Sequence, residues 1–155
     1  MFKILENALW ENSLYRALSI AITGHEYDYP VIQNKILNEM MRNPNRYFGH
    51  KESNPSALFR YKRNSVKLNR APDLIELHAA SAIYGFNFIV FQVCYEEQGF
   101  MKVTKSWPVL CTEYRKSNTE IPQVITYCFL RTGSSPDTWC YEYMIPAGYE
   151  MCNTN

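Results

Sequence analysis

The hydrophobic pattern of this chain changes period part-way along, and that change limits the fold more than any other feature. Up to Tyr84 apolar residues recur at helical spacing, and from Asn87 onward they fall into short β-rich runs. Leu14, Ala17, Leu18 and Ala21 form one stripe. Asn12 and Ser13, good N-cap types, open it and Gly24 closes it. A second helix starts near Pro30, with Ile32, Ile36, Leu37 and Met40 on one side and Lys35, Glu39 and Arg42 left for solvent. It stops at Asn43-Pro44-Asn45. Residues 53–66 read as a shorter helix, whose charge run Arg60, Lys62 and Arg63 reads as a solvated face. Pro72-Asp73 opens a third strong helix, carrying Leu74, Leu77, Ala80, Ser81 and Tyr84 on one side, and Gly85 ends it.

The β-rich run Asn87 to Tyr95 is turned by Glu96-Glu97-Gln98-Gly99 into a strand near Phe100 to Lys105. Two more strands are expected at Val124 to Arg131 and Trp139 to Ile145, separated by a loop over 132–137. No repeat, low-complexity tract or linker divides the chain. The expectation is one α+β domain over residues 1–150, N-terminal helices packed on a mostly antiparallel C-terminal sheet, with 151–155 a short tail. The abrupt start points to a piece of a longer protein.

Charge and cysteine usage narrow the function classes. Sixteen basic against 15 acidic residues leave a net charge of +1, no footprint for nucleic acid or an anionic membrane. Apolar runs fall far below the roughly 20 residues that span a bilayer. Phe2-Lys3-Ile4-Leu5 runs straight into Glu6 and Asn7, unlike a signal segment, so cytoplasm or nucleus is the expected location. The 5 cysteines, Cys94, Cys111, Cys128, Cys140 and Cys152, include no Cys-x-x-Cys. All three histidines, His25, His50 and His78, precede them, so reduced thiols are expected, with no metal site and no cofactor. The 12 tyrosines tilt the balance slightly toward a protein-binding surface.

A cysteine protease needs a thiolate, a base to activate it and donors for the developing oxyanion. A helix N-terminus suits the thiolate, because unsatisfied amides and the helix dipole favour an anion there. The first strong helix start of this chain reads Trp10-Glu11-Asn12-Ser13-Leu14-Tyr15-Arg16-Ala17-Leu18-Ser19. It resembles the nucleophile segment of the ovarian-tumour (OTU) family, typically Asp-Gly-Asn-Cys-Leu-Phe-Arg-Ala. Asp73 to Gly85, running into Phe88-Ile89-Val90-Phe91, looks like the second family signature, a helix with Glu-Leu and small residues leading into a core strand. Trp139-Cys140-Tyr141-Glu142-Tyr143-Met144-Ile145 looks like the terminal strand, where members read His-Tyr-Asp/Asn. The matched segments run from about residue 10 to 145, and their order and spacing agree with the helix-then-strand plan.

The resemblance implies a degenerate catalytic site. Ser13 stands at the nucleophile position and Cys140 at the base position. Trp10 replaces the aspartate of the nucleophile loop, and Glu11 the glycine after it. Asn12, Leu14, Arg16 and Ala17 keep the pattern. A serine is a weak nucleophile without a base, and no histidine follows position 78. The expected function is an inactive OTU-like module that binds a protein partner, with ubiquitin as the candidate. The binding residues would be Trp10, Glu11, Asn12, Ser13, Trp139 and Tyr141. An active deubiquitinase with Ser13 introduced in place of cysteine is the second reading. A structural or dimerisation domain, a homo-oligomer using tyrosines and a strand edge, is the third.

Overall fold

The computed structural model describes residues 2–5, 12–49, 54–67, 74–99, 101–110, 126–133 and 141–146. The chain opens with a strand, β1 (Phe2–Leu5), followed by helices α1 (Ser13–Thr23), α2 (Tyr29–Arg42), α3 (Pro44–Tyr47), α4 (Pro55–Lys67) and α5 (Leu74–Tyr84). Four strands follow: β2 (Phe86–Tyr95), β3 (Met101–Val109), β4 (Thr126–Gly133) and β5 (Glu142–Pro146). None of the described helices is long and apolar enough to cross a membrane.

Two glycines end the helices that carry the core. Gly24 (φ 84°) and Gly85 (φ 71°) take the left-handed conformation, and their N–H groups donate to the carbonyls of Ile20 and Ser81 at 2.9 Å. Asn54 opens α4: its side-chain oxygen accepts from the Ser56 N–H at 2.9 Å, while its carbonyl accepts from the Leu58 N–H.

The strands form one sheet in the order β1-β5-β4-β2-β3. Three pairings are antiparallel, and β2 runs parallel to β4, so the α+β fold carries a mixed, mostly antiparallel sheet. The parallel step follows from chain order, since β3 occupies one side of β2 and leaves β4 the other. The leading strand β1 was not expected; it pairs with β5 from Phe2↔Pro146 to Leu5↔Tyr143. β3 also runs four residues beyond the expected end, through Trp107 and Pro108. Proline fits there because β3 is an edge strand, where a missing N–H donor breaks no second ladder.

Helices α1 and α5 lie against the sheet, α1 on β5 and α5 on β2 and β3, while α2 packs across both. Leu14, Ala17 and Leu18 of α1, Ile36, Leu37 and Met40 of α2, Leu77 and Ala80 of α5, and Phe88, Val90 and Leu130 of the sheet are completely buried. Each large aliphatic side chain so placed contributes about 1.5–3 kcal/mol of transfer free energy. Helix α5 is buried on two sides, which the expected single stripe did not include: Glu76 and Ala79 are as inaccessible as Leu77. The Glu76 carboxylate accepts from the Tyr61 hydroxyl, which ties α4 to the core, and Lys62 Nζ donates to Asn38 Oδ1 at 2.7 Å on α2.

Candidate functional site

The start of α1 is where local geometry and tertiary packing meet. Asn12 precedes the helix with φ 57°, and among the described residues no other non-glycine residue has a positive φ. Asparagine tolerates this conformation better than most residues, because its short polar side chain bonds locally or to neighbours. The expected side-chain cap is absent. Instead the Asn12 carbonyl accepts from the Arg16 N–H at 2.9 Å, and its side-chain oxygen accepts from Gln33 Nε2 of α2 at 3.2 Å. Gln33 is buried, so this bond pins Asn12 to the inner face of α2.

Ser13 is the first residue of α1 and is 2% exposed. Its Oγ accepts a hydrogen bond of 3.0 Å from the backbone N–H of Tyr141, immediately before β5. Tyr141 is 3% exposed, with its ring in the core. The fold thus brings two of the expected site residues into contact, and both are buried. Arg16, one turn on, is half-buried and clamped: its guanidinium lies 4.1 Å from the Tyr29 ring centroid and 3.6 Å from the Glu26 carboxylate. Trp10, Glu11, Trp139 and Cys140 lie outside the described residues.

The described histidines stand elsewhere. His25 follows Gly24 at the far end of α1, an 11-residue helix about 16 Å long, and its Nε2 sits 3.6 Å from Asp28 Oδ2 on the surface. His78 is exposed on α5, lining a cavity of about 250 Å³ with Arg46, Tyr47 and Leu110. His50 lies outside the described residues. Among the described residues no three His, Cys, Asp or Glu side chains converge as metal ligands. Cys128, facing the helices from β4, is a buried free thiol that burial pushes up to about 12.

Sequence reasoning gave no buried partner to Gln33 or to Glu76, which it read only as part of a helix signature. Both are polar residues inside apolar helical faces, and a polar residue so placed signals a buried partner. It also passed over Arg131 of β4 and Glu142 of β5, opposite each other in register and 2.5 Å apart, with side chains 10% and 17% exposed.

Comparison with solved structures decides the fold. The viral OTU domain protease of Qalyub virus superposes with a TM-score of 0.68 at 14% identity, covering 94% of this chain and 84% of that one. The chain has the OTU fold. The OTU domain of OTUD1 gives a TM-score of 0.68 at 10% identity, over 94% of this chain and 86% of its own. The OTU of Hazara virus, solved bound to ubiquitin, gives 0.61 at 11% identity, over 93% and 80%. No protein-family model and no curated protein matches the chain in sequence. The helix-then-sheet plan of this OTU-like domain therefore agrees with the resemblance drawn from its motifs, at identities where fold outlasts sequence.

Proposed function

We propose that this OTU-like domain is catalytically silent and serves as a protein-interaction module, with ubiquitin as its first candidate partner. The observation that carries the proposal is the Ser13–Tyr141 hydrogen bond. In the motif alignment Ser13 takes the nucleophile position. There it is buried, and its oxygen accepts a hydrogen bond from a backbone amide. A serine hydroxyl becomes a nucleophile when an adjacent base removes its proton. By the same alignment the base position is Cys140, a residue that would be a poor proton acceptor as a neutral thiol. His25 and His78 are placed on other parts of the fold. Trp10 and Glu11, which precede α1 in sequence, and Trp139, which precedes β5, would then serve recognition in place of catalysis. Ubiquitin is the natural first partner, because the Hazara virus OTU of the same fold was solved with ubiquitin bound.

Strand-edge dimerisation is the weaker reading. The β3 edge carries exposed Lys102, Lys105 and Pro108, which discourage strand addition, and β1 at the other edge has 4 residues.

Incubation of the domain and of Ser13→Cys with linked di-ubiquitin tests the proposal. Neither protein should release mono-ubiquitin. Cleavage by Ser13→Cys alone would transfer support to an OTU protease whose thiol has been replaced.

A further inference from the structure

Helix α4 carries a surface that neither the fold nor the α1–β5 site uses. Between Pro55 and Lys67 the sequence holds Arg60, Lys62, Arg63 and Lys67 and no acidic residue. Leu58 and Tyr61 turn inward, and Lys62 is engaged with Asn38. On the outer side Phe59 is 69% exposed, a large aromatic ring left in water. Arg60 and Arg63 are exposed beside it, and neither makes an ion pair or hydrogen bond among the described residues. Spacings of three and four residues bring Arg60 and Phe59 each next to Arg63 on one helix face. With Pro55 and Ser56 these three line an open hollow of about 470 Å³.

We propose that this face docks an acidic peptide segment of a partner protein, its carboxylates on Arg60 and Arg63 and an apolar side chain against Phe59. Arginine forks match carboxylates in bidentate geometry, and an exposed aromatic supplies the apolar anchor. Charge distribution favours a short peptide over a polyanion. Of the chain's 16 basic side chains four lie in α4, so the rest of the molecule holds 12 basic against 15 acidic residues. The positive field is therefore local, fading over a Debye length of about 8 Å at physiological salt. A nucleic acid or anionic membrane draws on a wide positive field, which a net charge of +1 over the whole chain does not supply, whereas a short segment stays within the patch. This surface is independent of the ubiquitin reading.

The test is fluorescence anisotropy on the full chain with a short labelled peptide of alternating glutamate and leucine. Parallel probes are its lysine counterpart, labelled oligothymidylate and phosphatidylserine vesicles. The acidic peptide should bind and the lysine peptide should not. Arg60→Glu with Arg63→Glu should weaken binding by about tenfold or more, and Phe59→Ala by several-fold. Raising salt should weaken it further. All three positions are exposed, so far-UV circular dichroism should be unchanged, and Arg60→Gln with Arg63→Gln gives a second, neutral variant with an intermediate loss. No binding of the acidic peptide, or binding indifferent to these substitutions, overturns the proposal. So does preferential retention of oligothymidylate or vesicles through the same three residues.

Discussion

The Ser13 hydroxyl oxygen lies 3.0 Å from the backbone nitrogen of Tyr141 and accepts a hydrogen bond from its N–H across 128 positions of sequence. One side chain at the start of α1 thereby holds the approach to β5, and both partners are shut away from water. A hydroxyl at this position acts as a structural acceptor. In Ser13→Ala the buried Tyr141 N–H loses this partner, which costs about 1–3 kcal/mol. Urea denaturation should show a lower midpoint with an unchanged slope. An unaltered midpoint would mean that the bond contributes nothing.

A second prediction concerns the sheet. Arg131 and Glu142 face each other across β4 and β5 at 2.5 Å, and neither is much exposed. Glu142→Gln removes one charge and takes this carboxylate away from Arg131. It should cost about 2–3 kcal/mol, below the range for fully buried pairs because both side chains keep some contact with water. Replacing the two together, Arg131→Met with Glu142→Leu, should cost less than the single change, since no charge is left behind. Thermal or urea unfolding of the three variants decides it.

Alkaline pH gives a third. Burial holds the Cys128 thiol protonated to about 12, against a starting value of 9.0. Burial also raises Tyr84, and Tyr143 is raised by burial first and by the neighbouring Cys128 charge second. Between pH 9 and 12 the unfolded chain gives up the Cys128 proton while the folded chain keeps it. The unfolded state then binds fewer protons, so stability falls as pH rises through this window. By pH 10 the Cys128 share is on the order of 1 kcal/mol. Cys128→Ala should lose less stability than the natural chain between pH 8 and pH 10, and equal losses would contradict the assignment.

Much of the fold was legible because the residues that set it are local. Gly24, Pro30, Asn43-Pro44 and Gly85 lie at or within a residue of the helix boundaries they imply, and the apolar stripes of α1 and α2 are the buried faces. What escaped depends on partners distant in sequence. Four residues at β1 have too little pattern to announce a strand; their pairing with β5 makes them one. Pro108 argues against a strand until β3 is known to be an edge. Tyr141 is expected among the binding residues, and its ring packs into the core while its amide meets Ser13. Asn12 looked like a helix cap, but Gln33 on α2 holds its side chain instead. In each case a long-range contact outweighed a sound local preference.

The central claim is that an OTU fold with Ser13 sealed under Tyr141 binds a protein partner without cutting it. Titration of the isotope-labelled domain with mono-ubiquitin and linked di-ubiquitin, followed by amide shifts, tests it most directly. Shifts largest at Trp10, Glu11 and Trp139, passed on to Ser13 and along β5 to Ile145, with the ubiquitin left whole, are the predicted result. An unmoved spectrum at high ubiquitin concentration would contradict ubiquitin recognition, and loss of the di-ubiquitin linkage during the titration would contradict catalytic silence.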